Sequence, residues 1–369
     1  MLDLLPELVP DVLSRLPAKD LLRFRCVSKS WRSLIDSTAF IKLHLRKSME
    51  TNSHLNLIFT SQDGKIYSSN FDSFRDFVRL NSPIKSHNFM GLEVTLLKFL
   101  GSCNGMLCIC ETADIVALWN PSTRSSRLLP CSPIEIQFNS VKSGHVCYGF
   151  GYDHIKDDYK VVRMIQQWYS DASFQCEFKV FRLSTSSWKT VDEVPDILQN
   201  LKQGYSAFAS GALHWLVYDE AEFSIVAFDL GTEEFGQVPL PDFKGKNFDM
   251  VIGSLGDCLC SICESDVWIM KEYRVKESWI NLFSVAEGGV PRSLENLMPL
   301  SYSKAYDKVL LQQWKEKLVW YDLGAKQPST VHDISNLRDV TIYVGSLVPV
   351  TVGREENTRK GQSSEGTEV

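Results

Sequence analysis

The sequence predicts two units: a small helical module over residues 1–46 and a mainly-β, propeller-like domain over residues 47–352. Apolar residues recur at helical spacing in the first unit. After about residue 52, short apolar runs bounded by Gly, Asn, Pro, Asp and Ser replace them, which is typical of many short strands. These runs also repeat along the chain. Residues 353–369 hold one strong apolar residue, Val369, so we expect a disordered tail there.

The helical module begins with the stretch "LVPDVLSRL". Its apolar residues form one predicted stripe: Leu8, Val9, Val12, Leu13 and Leu16. Pro10 fits a helix only in the first turn, and Pro17 should end this helix. We expect Asp20 to cap the second helix and Ser28 to cap the third.

Six stretches of the β region each end an apolar, aromatic-bearing strand in a turn. The marks of these stretches are Tyr67, Trp119, Phe181, Phe228, Met270 and Tyr321. They lie roughly 40–60 residues apart, which is typical of propeller blades with a few strands each. Because the repeats are irregular, a β-sandwich with additional strands remains the alternative, and the blades cannot be counted.

Composition narrows the function classes. The net charge of -6 argues against general nucleic-acid binding, which needs a basic surface. No run of about 18 apolar residues predicts a membrane helix. The opening residues "MLDLLPELVPD" are acidic and broken by prolines, unlike a secretory signal. We therefore interpret the ten scattered cysteines as reduced thiols of a cytoplasmic and/or nuclear protein.

The sequence carries few candidates for an active site. Cys258, Cys260 and Cys263 could begin a zinc site, but on a strand they do not share one face and no fourth ligand lies nearby. Buried structural thiols are the favoured interpretation. "GFGYDH" (149–154) has only two glycines of a dinucleotide fingerprint, so we predict a turn entering the next strand. The sequence gives no reason to expect a catalytic residue, a metal or a cofactor.

The helical module carries more apolar surface than a few short helices can bury among themselves. Some of it must pack against this chain's β domain or against another protein. Between Arg15 and Arg46, the acidic residues Asp20 and Asp36 are outnumbered by these basic residues: Arg15, Lys19, Arg23, Arg25, Lys29, Arg32, Lys42 and Arg46. An apolar patch with a basic rim suits an acidic protein partner.

The module resembles a plant F-box. The resemblance is carried by Leu5-Pro6, the Leu16-Pro17 break, Leu21-Leu22 and "CVSKSW" from Cys26 to Trp31. The following region is similar to the kelch-like F-box-associated domain (type 1). Its matching stretches are "SCNGMLCI", "LWNPSTR", "GFGYDHIKDDYKVV", "VFRLSTSSW", "GALHWL" and "VAFDLGTEEF".

This resemblance implies a substrate-recognition subunit of an SCF (Skp1–cullin–F-box) ubiquitin ligase. The helical module would bind the adaptor Skp1, and through it cullin and the RING protein, while the β domain would bind the target. The resemblance implies these contact residues: Leu5, Pro6, Leu8, Leu16, Pro17, Leu22, Val27 and Trp31. Such a subunit is not an enzyme and acts by proximity. Two alternatives are a Skp1-associated binding module outside a ligase, and an enzyme with a site in the β domain.

The target itself cannot be predicted. It would be selected by loops between strands, such as 131–143, 169–173 and 219–223. Seven tryptophans of the β region could fill the core or anchor a partner: Trp119, Trp188, Trp215, Trp268, Trp279, Trp314 and Trp320.

Overall fold

The computed structural model describes residues 8–71, 73–74, 76–84, 97–133, 141–170, 173–219, 222–241, 250–264, 266–285, 297–313, 317–331 and 337–351. Four helices come first: α1 (Val9–Leu13), α2 (Ala18–Phe24), α3 (Lys29–Asp36) and α4 (Thr38–Glu50). Helix α4 continues past residue 46, and the first strand begins at Leu55. The tail predicted over 353–369 lies outside the described residues. None of the described helices has the length and apolar character that a membrane crossing requires.

Two details of the helices differ from the prediction. The stripe of α1 is not one buried face, because Leu13 is buried while Leu8 and Val12 are about half exposed. The expectation that Asp20 caps α2 is wrong. Pro17 occupies the cap position, and Asp20 lies in the first turn, where it accepts a hydrogen bond from Arg23 at 3.3 Å. Proline fits there because the first amide of a helix needs no partner.

The strands form six antiparallel sheets of four within the described chain. Blade 1 contains β24 (Leu337–Val344), β1 (Leu55–Ser61), β2 (Ile66–Asn70) and β3 (Val78–Leu80). Blade 2 contains β4 (Lys98–Cys103), β5 (Met106–Cys110), β6 (Val116–Asn120) and β7 (Ser125–Leu128). Blade 3 contains β8 (Val141–Asp153), β9 (Asp158–Tyr169), β10 (Phe174–Arg182) and β11 (Ser187–Thr190).

The other three blades follow the same order. Blade 4 contains β12 (Ala207–Ala209), β13 (Ala212–Asp219), β14 (Glu222–Asp229) and β15 (Phe235–Val238). Blade 5 contains β16 (Met250–Leu255), β17 (Cys258–Cys263), β18 (Asp266–Met270) and β19 (Trp279–Ser284). Blade 6 contains β20 (Leu297–Tyr302), β21 (Lys308–Gln313), β22 (Lys317–Asp322) and β23 (Gln327–Thr330).

The first-named strand of each blade is the innermost, and neighbouring blades touch mainly through these strands. The ring closes where β24, the last strand of the chain, pairs antiparallel with β1. Leu55 lies opposite Val344 and Phe59 lies opposite Val340 in this pairing. The domain is therefore a six-bladed propeller, which confirms the propeller prediction and excludes the β-sandwich.

The six sequence marks coincide with the blades. Each mark lies on the third strand of its blade, on β2, β6, β10, β14, β18 or β22. A strand at this position packs against both neighbouring blades, so an apolar or aromatic residue recurs there. The repeat visible in the sequence is thus the blade itself.

The helices lie at one end of the ring, which we call the helix end. The turn between β8 and β9 reaches α4 through an ion pair between Asp157 and Lys42. The turn after β20 is reached by Asn52, whose Nδ2 donates to the Ser303 carbonyl at 2.9 Å. Because strands alternate in direction, the turns between second and third strands, and the connections between blades, lie at the opposite, far end.

The core lies between the blades. Of the tryptophans singled out above, Trp119, Trp215 and Trp279 are buried. Trp188, Trp268 and Trp320 are half-buried, and Trp314 lies outside the described residues. Most of these side chains therefore fill the spaces between blades, as their apolar area favours.

A buried ion network joins blades 3 and 4. Lys160 is fully buried, with its Nζ 2.8 Å from carboxylate oxygens of Asp153 and Glu233. Arg182 also binds Glu233, at 2.6 and 2.7 Å. Burial opposes the ionisation of Glu233, but hydrogen bonds from Lys160 and Arg182 outweigh it and lower its pKa to about 2. The prediction that "GFGYDH" forms a turn is wrong for most of the stretch, because residues 149–153 form the end of strand β8 and the turn into β9 begins at His154. Asp153 of this stretch belongs to the ion network.

Candidate adaptor-binding surface

The helical module has a small core of its own. Its buried members are Leu13, Ala18, Leu21, Ile35 and Phe40. Leu347, from the segment after β24, is the one buried propeller residue in this described cluster. The helices therefore bury few apolar side chains among themselves. At Leu347 the propeller does not cover the outer faces of the helices.

Serine caps set the ends of two helices. The Ser28 hydroxyl accepts from the amide of Trp31 at 3.1 Å, which confirms the predicted cap of α3. The Ser37 hydroxyl accepts from the amide of Phe40 at 3.2 Å and caps α4. The Ser28 cap therefore fixes where α3 begins, and the Ser37 cap fixes where α3 ends and α4 begins.

Two histidines hold the Leu16-Pro17 connection. The His44 Nε2 donates to the Leu16 carbonyl at 2.9 Å, and the His54 Nε2 donates to the Arg15 carbonyl at 3.1 Å. Their rings stack with centroids 5.9 Å apart. Burial of His44 lowers its pKa, so the neutral ring is favoured. Pro17 has no amide hydrogen and therefore cannot donate to the carbonyls at the end of α1. The two histidine rings donate to these carbonyls instead.

The contact residues implied by the resemblance differ in exposure. Leu5 and Pro6 lie outside the described residues. Leu8 is 50% exposed and Val27 is 61% exposed. Pro17 is also exposed.

The remaining three residues of that set are half-buried and pack on the module core. They are Leu16, Leu22 and Trp31. The Trp31 ring meets Phe24 edge-on with centroids 5.8 Å apart. Leu21, not Leu22, is the fully buried member of the leucine pair.

The sequence did not single out Val12 as a contact residue, although it is 46% exposed. It lies one helical turn after Leu8, because its amide donates to the Leu8 carbonyl at 3.0 Å. Leu8 and Val12 therefore share one exposed apolar side of α1. A helical plot of α1 places these two residues together and could have found them.

The propeller covers part of α4. Ile41 and Leu45 pack against the apolar cluster between blades 2 and 3. The α4 helix thus uses its apolar side within the chain, whereas the exposed apolar residues of α1 and of the α2–α3 connection have no such cover in the described structure.

The predicted basic rim is exposed on the module. Its exposed members include Lys19, Arg23, Lys29 and Arg32. Arg25 is held by Asp36, with its Nε 2.8 Å from a carboxylate oxygen. Since basic side chains exceed acidic ones here, the surface around Val27 is positively charged.

The remaining candidates from the sequence give no site. Cys260 and Cys263 are buried and Cys258 is half-buried. Burial raises the pKa of Cys260 to about 12, which disfavours a thiolate. Among the described residues, no three side chains of His, Cys, Asp or Glu are placed to hold a metal ion.

Comparison with known proteins identifies both parts of the chain. Residues 1–43 match the F-box domain, and residues 56–350 match the F-box associated beta propeller domain. The chain belongs to the F-box proteins with an associated β-propeller. It is 35% identical to the F-box protein CPR1 of Arabidopsis thaliana, over 98% of this chain and 93% of that protein.

Other plant F-box proteins are similar over nearly the whole chain. The identity with F-box protein At4g22390 of Arabidopsis thaliana is 31%, over 93% of this chain and 89% of that one. The F-box/kelch-repeat protein At3g23880 of the same plant is 28% identical, over 93% of this chain and 94% of the other. The similarity to these relatives therefore spans both the F-box helices and the propeller of this chain.

The described ends of the three loops suggested for target selection lie at the far end of the F-box protein. Loop 131–143 joins blades 2 and 3, and loops 169–173 and 219–223 join second to third strands. Residues 134–140, 171–172 and 220–221 of these loops lie outside the described residues. The far end is thus separated from the F-box helices by the height of the ring.

Proposed function

We propose that this protein is the substrate-recognition subunit of an SCF ubiquitin ligase. The F-box helices bind an acidic Skp1-type adaptor, which connects them to cullin and the RING protein. The propeller binds the target protein. The observation that carries this proposal is that the F-box module leaves Leu8, Val12 and Val27 exposed and also carries exposed basic side chains.

Burial of these side chains by an adaptor supplies binding energy. Each apolar side chain removed from water contributes roughly 1.5–3 kcal/mol. The exposed basic residues attract an acidic partner and orient it during approach. The half-buried Leu16, Leu22 and Trp31 and the exposed Pro17 are further proposed contacts. Leu5 and Pro6 are proposed contacts on the strength of the F-box resemblance.

The protein acts without a catalytic residue of its own. The adaptor holds the helix end, and the target binds elsewhere on the propeller. A target held near the ubiquitin-carrying enzyme reacts at a high effective concentration, so a bimolecular transfer becomes effectively intramolecular. The protein works where its ligase partners occur, in the cytoplasm or the nucleus.

The adaptor interface is tested by Val27→Glu. Val27 is exposed and outside any helix, so the variant should fold normally. We expect co-purification with a Skp1-type adaptor to fall at least about tenfold, because a carboxylate would be buried against an acidic partner.

Ile155→Glu is the matched control. Ile155 is 74% exposed at the helix end but lies on a propeller turn, outside the F-box. The Ile155→Glu variant should bind the adaptor like the wild type. Circular dichroism should show the same unfolding midpoint for the wild type and for both variants. Full adaptor binding by Val27→Glu, or an equal loss in Ile155→Glu, would contradict the proposed interface.

The ligase role is tested separately by target turnover. A bound target should become more stable when cullin activity is inhibited. A target whose lifetime is unchanged, while adaptor binding is intact, would favour the alternative of a binding module outside a ligase.

A further inference from the structure

Blade 3 extends further than blade 2 at the far end of the ring. Strands β8 and β9 have 13 and 12 residues, whereas β4 and β5 of blade 2 have 6 and 5. Gly101 of β4 lies beside Phe150 of β8, since a Cβ at Gly101 would be 3.1 Å from the Phe150 Cβ. Strand β4 begins three residues before that point, so residues 141–146 continue beyond it for roughly 20 Å of strand.

This projecting part carries a row of rings on three adjacent strands. Trp168 of β9 lies 5.6 Å from the His145 ring of β8 and 5.4 Å from the Phe174 ring of β10. We call His145, Trp168 and Phe174 the aromatic row. His145 is exposed, and the other two are half-buried. Tryptophan is one of the side chains that are enriched among the hot spots of protein interfaces.

The face of blade 3 that bears the aromatic row looks toward blade 4. Trp168 lies on the same side of β9 as Val162 and Met164, which pack against blade 4. Gln166 lies between Met164 and Trp168 on this side of β9. Its Nε2 donates to the Leu198 carbonyl at 2.6 Å. The connection from blade 3 to blade 4 therefore borders the aromatic row.

This border is acidic. Its described carboxylates are Asp192, Glu193, Asp196, Asp219 and Glu222. Asn200 ties the connection to blade 4 by donating from Nδ2 to a carboxylate oxygen of Asp219 at 2.7 Å. Lys202 is the one Lys or Arg in the described parts of this connection and of the β13–β14 tip. The negative potential of the border attracts cations to the rings beside it.

The two ends of the molecule thus differ in charge. The helix end presents Lys19, Arg23, Lys29 and Arg32, whereas this part of the far end presents carboxylates. An acidic adaptor suits the first surface and is repelled by the second. The charge of this part of the far end therefore suits a basic partner.

We propose that the aromatic row and its acidic border bind a basic segment of the target protein. An arginine or lysine of that segment stacks on Trp168, and neighbouring cations pair with Asp192, Glu193 and Asp219. Cation–π contact and charge pairing act together here, because the connection that carries the carboxylates is bound to Gln166, two residues before Trp168. This inference rests on the proposed function, since it assigns the target surface of the same receptor.

The test uses the full chain purified with its Skp1-type adaptor. One probe is a fluorescein-labelled peptide of alternating Arg and Leu, and the other has Glu in place of every Arg. Fluorescence anisotropy measures binding of each. We expect the Arg peptide to bind the wild type at least about tenfold more tightly than the Glu peptide. Trp168→Ala should weaken Arg-peptide binding at least about tenfold.

A second variant avoids the ring altogether. Asp192→Lys/Glu193→Lys changes two exposed residues and should weaken the Arg peptide while strengthening the Glu peptide. Asp114→Lys, an exposed change on blade 2 at the same end, and Tyr306→Ala, at the helix end, are the matched controls. Both controls should bind the Arg peptide like the wild type.

Three results would overturn the inference. They are equal binding of the two peptides, wild-type affinity in both the Trp168 and charge-reversal variants, or an equal loss in the controls. Self-association of the wild type that Trp168→Ala abolishes, seen by sedimentation, would also overturn it, because a second copy would then occupy the surface. Adaptor co-elution is read in the same samples, so failure of the proposed function is seen separately.

Discussion

His214 is fully buried in blade 4 and uses both ring nitrogens. A carbonyl can only accept, so Nδ1 donates to the Ala207 carbonyl at 3.1 Å. Nε2 then accepts from the Tyr273 hydroxyl at 2.8 Å. Burial lowers the pKa of His214 to about 4, and hydrogen bonding to Ala207 only partly opposes this. The residue therefore stays neutral in the folded protein at mildly acidic pH.

The sign of its pH dependence follows from the unfolded state. An unfolded histidine binds a proton below about pH 6.5, whereas folded His214 does not. The stabilising effect of neutral His214 is complete above about pH 6.5 and is lost as the pH falls towards 4. At pH 5 this loss lowers the free energy of unfolding by roughly 2 kcal/mol. We expect His214→Gln to lose less free energy of unfolding than the wild type between pH 7 and pH 5, measured by urea unfolding. An equal loss in both proteins would contradict this assignment.

The segment that follows β24 connects the propeller with the F-box helices. Asn120, at the end of β6, is fully buried and donates from Nδ2 to the carbonyls of Ser346 and Val348 at 3.2 and 2.8 Å. Leu347, between them, packs in the core of the helices. One side chain on blade 2 therefore fixes the segment after β24 on which the F-box helices pack.

Asn120→Asp tests this connection. It exchanges the donor for an acceptor of the same shape, so two carbonyls lose their partner, which costs about 1–3 kcal/mol each. We expect faster hydrogen exchange in residues 345–350 and in α4, with blade 5 unchanged. Asn281→Asp, an exposed change on β19, is the control and should leave exchange as in the wild type. Unchanged exchange in α4 would show that the helices are held by other contacts.

The ring as a whole depends on its last strand. Pairing of β24 with β1 runs from Leu55–Val344 to Ser61–Leu337. Without β24, the inner edge of blade 1 would expose unpaired backbone groups, which favours aggregation. Strand β24 also leads into the segment that packs against the helices. The pairing that closes the ring therefore also positions the F-box.

Two truncations separate these contributions. A chain ending at residue 336 should lack a cooperative thermal transition and aggregate, because blade 1 is left open. A chain ending at residue 351 should melt at the same temperature as the full-length protein within about 3 °C, since β24 is retained. Calorimetry checks both. A cooperative transition in the shorter chain would show that closure is not required.

The predictions that the structure confirmed depend on local patterns in the sequence. The helices before the strands, the Ser28 cap and the recurring marks of the blades depend on spacing between near neighbours. The same marks could not be counted as six, because the blades differ in length and only the β24–β1 pairing shows that the ring is complete. The Asp20 cap failed because Pro17 took that position, a competition between residues that spacing alone does not resolve.

The sequence by itself determined the order of the two units and the F-box character of the first, since both are written in short contiguous motifs. Only the tertiary structure decided that Leu21 is buried while Leu22 stays half exposed, and that Val27 faces solvent. It also brought Trp168 beside His145 and Phe174. Such outcomes depend on packing and strand pairing between distant parts of the chain, whose free energy no local pattern records.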